Sequence, residues 1–206
     1  VTLRLYGTPE ATSAAICSFA TTNGAVASVI EAVQCGLPLA RAEYLDSEAV
    51  RAVNLAFSTD YPQAETLFLE FHGAPEDVKR QAERFGAIAA DNGGGDFKWA
   101  LESEARSQLW KARHNAGFAA AAMRPGARLW STDVCVPISK LAACIDATKA
   151  DLAKAPFPAI VLGHVGDGNF HAILLLDPNS IAEMDAANRF NDVLVARAIA
   201  MDGTCT

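Results

Sequence analysis

Two histidines flank a glycine-rich segment, Gly163-His164-Val165-Gly166-Asp167-Gly168-Asn169-Phe170-His171, which lies between the apolar runs 160–162 and 172–176. Asp-Gly between two β-rich runs favours a tight type I′ hairpin turn. With Asp167 and Gly168 as the turn residues, Gly166 faces Asn169, Val165 faces Phe170 and His164 faces His171. Opposed residues on paired strands hold their Cβ atoms about 4.5–5.5 Å apart on one side of the sheet. Two imidazoles so placed can chelate one divalent metal, each keeping its second nitrogen for an outer partner. The same alternation sends Val165 and Phe170 toward a core on the other side. His164 and His171 are therefore the candidate metal ligands. Two ligands do not complete a catalytic site, which usually has three and an open position. No third is evident nearby, and Asp167 at the tip points away. A pair of hydrogen-bonded structural histidines beside the turn is the alternative. A phosphate cradle does not fit, because no Lys follows and the segment enters a strand, not a helix N-terminus.

A second candidate is Arg113, in Leu109-Trp110-Lys111-Ala112-Arg113. A guanidinium fork suits a planar carboxylate, to which it makes two parallel hydrogen bonds. By spacing alone the favoured reading of Arg113 is a solvated arginine on a helix surface. His114 faces a different side of that helix and His72 ends a strand, so both are expected to be structural.

The elements that must position these residues follow a repeated grammar. Strands are expected over 1–6, 15–21, 41–45 and 65–72. Helices are expected over 24–34 with Asn23 as cap, from Asp46 or Ser47 to 54, and over 76–91. The glycines of Asn92-Gly93-Gly94-Gly95 close the third helix. A long helical stretch over 99–123 ends at Pro125-Gly126. Then come a strand over 130–136, a helix over 138–153, a strand pair over 159–176 and a helix over 181–201. The expected fold class is α+β: a ferredoxin-like antiparallel sheet with helices packed on one face, plus a helical insertion. No Gly- or Ser-rich linker divides the chain.

The 206 residues carry a net charge of −7 with charged residues at 20%. That balance argues against nucleic acid, which needs a clustered basic surface. No apolar run approaches the roughly 18 uncharged residues of a membrane-spanning helix. The five cysteines (Cys17, Cys35, Cys135, Cys144 and Cys205) contain no CxxC pair, so a disulfide framework or cysteine zinc site is not expected. A cytoplasmic address follows from that cysteine usage, with peripheral attachment of a longer protein to an inner membrane left open. Both ends look cut, at the strand-like Val1 and just after Asp202-Gly203-Thr204-Cys205.

The segment from Gly163 to His171 resembles the signature of the C-terminal domain of FAD-linked oxidases of the vanillyl-alcohol-oxidase type, nearest the D-lactate dehydrogenase (cytochrome) and glycolate oxidase subunit branch. Leu109-Trp110-Lys111-Ala112-Arg113, Ser131-Thr132-Asp133-Val134-Cys135-Val136-Pro137-Ile138-Ser139 and Met201-Asp202-Gly203-Thr204 match it in the same order. The resemblance covers nearly the whole chain. It implies a substrate (cap) domain over 1–206, truncated at both ends, whose FAD is held mainly by a separate N-terminal domain. It implies that His164 and His171 bind a divalent metal, Zn or Mn, and that Arg113 and Asn169 contact substrate. The family's third metal ligand, a Glu, and its base, a His, belong to a Gly-Glu-His-Gly segment just beyond Gly203-Thr204.

The implied chemistry is oxidation of a 2-hydroxy acid, with electrons passing to a cytochrome, another acceptor protein or a quinone. D-lactate going to pyruvate is the leading expectation, with glycolate or D-2-hydroxyglutarate as alternatives. In the 2-hydroxyglutarate relatives a Thr and a Lys bind the second carboxylate, where this chain has Gly117 and Ser131. A homodimer is among the expected assemblies, and the chain alone is expected to be inactive. Two rival readings are a stand-alone metal-dependent hydrolase or lyase and a non-catalytic metal-binding module that recruits an electron acceptor.

Overall fold

The structure is a computed structural model that describes every residue except Val1, Arg4 and Tyr6. The strand expected over 1–6 includes those positions and lies outside the described residues. The first half runs β1 (Ala11–Phe19), α1 (Thr22–Gln34), β2 (Leu39–Leu45), α2 (Ser47–Phe57), β3 (Glu65–Gly73), α3 (Pro75–Asp91) and β4 (Gly94–Ala100). The Thr21 hydroxyl accepts from Gly24 N at 3.1 Å, so α1 opens two residues before the expected Asn23. Asp46 caps α2 by accepting from Ala49 N at 2.8 Å. Pro75 starts α3 where its missing N–H costs nothing, with Glu76 and Asp77 at the positive end of the helix dipole.

The second half runs α4 (Ser103–His114), α5 (Ala116–Ala119), a 3-10 turn (Ala120–Met123), β5 (Arg128–Ser131), β6 (Val134–Cys135), α6 (Ile138–Leu152), β7 (Ala159–His164), β8 (Asn169–Leu176), α7 (Ile181–Ala200) and β9 (Thr204–Cys205). Two expectations need correction here. The helical stretch expected over 99–123 begins only at Ser103, because β4 occupies the end of the glycine run and continues through Trp99, which pairs with Ala15. The strand expected over 130–136 is broken at Thr132-Asp133, so that β5 and β6 both pair with β8. Thr132 holds the break: its N donates to Ala172 O and its Oγ1 accepts from Ala172 N, each at 2.9 Å.

The sheet is antiparallel in every pairing and has the order β4-β1-β3-β2-β7-β8-β6-β9, with β5 beside β8. Its left half, β1-α1-β2-β3-α3-β4 with α2 inserted, has the strand order 4-1-3-2 of a ferredoxin-like unit. The right half, β6-α6-β7-β8-α7-β9, has the same order, so the chain holds two such units edge to edge. They join where β2 pairs with β7, with Glu43 opposite His164.

Two apolar layers hold this together. On one face Val29, Phe71, Phe85, Leu141, Ile145 and Leu194 pack between the sheet and α1, α3, α6 and α7. On the other, Val50, Val53, Phe68, Trp110, Ile160 and Leu162 pack beneath α2, α4 and α5. The helical insertion and α2 thus cover the second face, and α+β remains the class. Each fully buried large side chain stabilises by about 1.5–3 kcal/mol. Among the described residues no helix is long and apolar enough to cross a membrane.

Candidate functional site

The hairpin register differs from the expected one. β7 and β8 are joined by the four residues 165–168, and the pairs are His164 with Asn169, Gly163 with Phe170 and Leu162 with His171. His164 therefore does not stand opposite His171. The reason lies in the loop. Phe170 faces Gly163 instead, where only a residue without a side chain fits: a Cβ built on Gly163 would lie 2.6 Å from Phe170 Cβ. Asp167 N donates to His164 O at 3.1 Å to close the turn, and Gly168, at φ +87°, donates no side chain but offers its carbonyl to Val136 N at 3.0 Å. The slip is two residues, and side chains alternate with period two. His164, Asn169 and His171 therefore still share a face. The two imidazoles are diagonal neighbours, with centroids 5.8 Å apart and planes at 86°.

Each histidine is oriented through Nδ1. His164 Nδ1 lies 2.8 Å from both carboxylate oxygens of Glu43, and His171 Nδ1 lies 3.1 Å from Thr132 O and 3.2 Å from Asp133 Oδ1. A carboxylate and a carbonyl only accept, so both Nδ1 atoms donate, which leaves the lone pair of a neutral imidazole on Nε2. That is the outer-partner arrangement of metal-binding histidines. Two imidazoles with free Nε2 atoms fit part of a metal site. Among the described residues, however, no group of three His, Cys, Asp or Glu side chains is placed to hold an ion.

Arg113 closes the other side. It is only 8% exposed, which removes the reading of a solvated surface arginine. Its Nη2 donates to Glu43 Oε2 at 2.6 Å, while its Nε is buried without a partner. Asn169 Nδ2 donates to Asp133 Oδ1 at 2.7 Å and to Val134 O at 3.1 Å. Hydrogen bonds from the Thr206 hydroxyl and then from Asn169 hold the Asp133 carboxyl below the usual carboxylate range. A cleft of about 450 Å³ opens beside Glu43 and His164, lined also by Arg41, Gly166 and Asp167.

All four expected site residues thus come to one face, His164, Asn169 and His171 from the hairpin and Arg113 from α4. Glu43, Thr132 and Asp133 were not anticipated as site residues. Glu43 carried a usable signal: in the alternation of β2 it is a charged residue on the same side as the buried Leu45. His72 and His114 stand apart from this group, His72 against Glu70 at 2.8 Å and His114 against the Trp110 ring at 5.8 Å. The cysteines are all free thiols. Gly117 lies over the site strand, where an added Cβ would be 3.1 Å from Ile173 Cδ1.

Residues 8–206 match the family model described as FAD linked oxidases, C-terminal domain. The chain is 49% identical over 205 residues to a probable mitochondrial D-lactate dehydrogenase of Danio rerio, covering 100% of this chain and 41% of that protein. It is 39% identical to the mitochondrial D-lactate dehydrogenase [cytochrome] of Arabidopsis thaliana, covering 100% of this chain and 36% of that one. The chain thus spans about two fifths of the length of these relatives. Among solved structures, 4-ethylphenol oxidase from Gulosibacter chungangensis superposes with a TM-score of 0.68 at 15% identity, over 98% of this chain and 46% of that one. An alkyldihydroxyacetonephosphate synthase gives 0.66 at 13% identity, over 98% and 42%. At those identities the structures speak for the fold alone. The family match and the sequence relatives carry the assignment: this chain belongs to the C-terminal domain family of the FAD linked oxidases.

Proposed function

We propose that this chain is the substrate-side domain of an FAD-dependent D-2-hydroxy-acid dehydrogenase that oxidises D-lactate to pyruvate and passes the electrons to a cytochrome or quinone-type acceptor. The observation that carries the reading is the convergence of Arg113, Asn169, His164 and His171 on one face, with both Nδ1 atoms turned to oxygen acceptors. The names of the sequence relatives support the same substrate.

When bound, FAD supplies the hydride acceptor and a divalent metal, Zn or Mn, lowers the pKa of the substrate hydroxyl. His164 and His171 would hold that metal through Nε2. Arg113 binds the substrate carboxylate with the part of its fork that Glu43 does not use. Asn169, anchored by Asp133, adds a polar contact beside it. Fixing both ends of a small hydroxy acid turns its α-hydrogen in one direction, which is the positioning contribution to rate. The closing strand supports a third ligand and a base from just past Thr206. Thr206 Oγ1 donates to Asp133 Oδ2 at 2.5 Å, and the same carboxylate contacts His171. Residues following Thr206 in a longer chain would enter the site there.

The Gly117 and Ser131 positions favour a monocarboxylate, since Gly117 has no side chain and Ser131, whose hydroxyl donates to Thr132 O, carries no positive charge for a second carboxylate. Substrate profiling of the full-length holoenzyme with D-lactate, glycolate and D-2-hydroxyglutarate tests this. The expected result is the highest kcat/KM for D-lactate; 2-hydroxyglutarate well above it would sink the assignment.

A further inference from the structure

We propose that Glu43 is a positioning residue that sets the separation between the substrate-carboxylate arginine and the metal-binding histidine. The inference rests on the functional reading above. One carboxylate spans both groups, with Oε2 2.6 Å from Arg113 Nη2 and both of its oxygens 2.8 Å from His164 Nδ1. The Glu43 backbone is itself pinned opposite His164 across the β2·β7 seam, so the side chain starts from a fixed place. Its side chain is 14% exposed and that of Arg113 10%, so water competes little for either contact.

The chemistry of the substrate gives this bridge its use. A 2-hydroxy acid carries its carboxylate and its hydroxyl on adjacent carbons. The group that binds the one and the metal that binds the other must therefore be held at a fixed, short separation. Misplacement of about 1 Å costs on the order of 10²-fold in rate. Glu43 fixes the Arg113 fork through one nitrogen and leaves the buried Nε without a protein partner. It also accepts the hydrogen bond from His164 Nδ1–H, so that Nε2 is the free nitrogen. Glu43 touches neither substrate nor metal and acts through both neighbours.

The test uses the full-length holoenzyme with Glu43→Ala, Glu43→Asp and Glu43→Gln, and Arg51→Ala as a control that removes an exposed ion pair. Mn2+ titration into metal-stripped protein, flavin content, and separate KM and kcat for D-lactate are measured. For Glu43→Ala and Glu43→Asp, metal affinity falls about 10–100-fold, the range for losing an outer partner of a metal-bound histidine. KM rises at least about tenfold as Arg113 loses its charge-assisted anchor. Glu43→Gln keeps an amide oxygen for His164 and so retains metal affinity within about threefold, yet its KM rises as in Glu43→Ala. Flavin content stays at the control level throughout. Metal affinity and KM both within about twofold of wild type would overturn the inference, as would a change confined to melting temperature. Should the Ala and Asp variants fail to fold, Glu43→Gln decides, because a wild-type KM in that variant overturns the proposal by itself. A wild-type enzyme that neither binds Mn2+ nor oxidises any 2-hydroxy acid overturns the functional reading, and this inference with it.

Discussion

On the proposed reading, His171 is made ready for a metal by groups that are not ligands. The Thr132 carbonyl and the Asp133 carboxylate both face Nδ1, so the proton sits there and Nε2 stays free. Removing the imbalance of one ligand should be visible directly. In the full-length protein, His171→Ala is expected to lose bound zinc or manganese by tenfold or more, about 1.4 kcal/mol or beyond on the affinity scale. Elemental analysis after dialysis checks this. Equal metal in the variant and wild type would remove His171 from the ligand set. At this scale the sequence was informative where the residue types are rare, and both histidines, Asn169 and Arg113 were legible. Glu43 left only the trace of a charge on the buried side of β2, and Asp133 left none, because a single carboxylate in a loop gains meaning only from its partners.

At the scale of elements, the β7–β8 hairpin depends on Gly168. Its φ is +87°, and a Cβ built there would lie 2.0 Å from Val136 O. Gly168→Ala should therefore destabilise the chain by about 1–3 kcal/mol or more, the cost of a strained left-handed residue plus the clash with backbone. Denaturant unfolding measures it, and a change under about 0.5 kcal/mol would show that the loop re-forms freely. The cap of α2 gives a pH dependence. Burial pushes the Asp46 carboxyl up from 3.8 to about 7, against the opposing hydrogen bond from Ala49 N. The folded chain thus holds this proton more tightly than the unfolded one. The contribution of that group is fully present below pH 3.8 and is lost as pH rises toward about 7. Asp46→Asn keeps a good cap but cannot titrate. Across that window its unfolding midpoint should decline less with pH than that of wild type, and parallel curves would count against a raised Asp46. Gly168 was marked as a turn residue from sequence. The length of the loop was not, because the partner that sets it is Val136, in the distant segment between β6 and α6.

At the scale of the whole molecule, the site lies on the seam between two ferredoxin-like units. Glu43 comes from the first, the hairpin and Asp133 from the second, and Arg113 from the helical insertion between them. Among the described residues no three His, Cys, Asp or Glu side chains are grouped to hold an ion, and the carboxylates on this face are engaged with the histidine Nδ1 atoms. Purified 1–206 is therefore expected to show no D-lactate turnover, with or without added FAD and Mn2+, in a dye-reduction assay. Measurable turnover would mean that this domain alone holds a sufficient catalytic set.

The sequence by itself determined what is local or periodic. Alternation along each strand put His164, Asn169 and His171 on one face for a two- or a four-residue loop alike, since a slip by two residues preserves the side. The charges and the apolar periods likewise specified an α+β chain with capped helices. Tertiary structure decided what depends on distant partners. The register followed from the close approach of Gly163 to Phe170 and docking of Gly168 on Val136, and the second helix layer from the apolar inner faces of α2 and α4. The contacts that orient the site join residues 121, 70 and 36 positions apart: Glu43 with His164, Glu43 with Arg113, and Asp133 with Asn169. No local pattern encodes such pairs, because they form only when the sheet has brought its strands together.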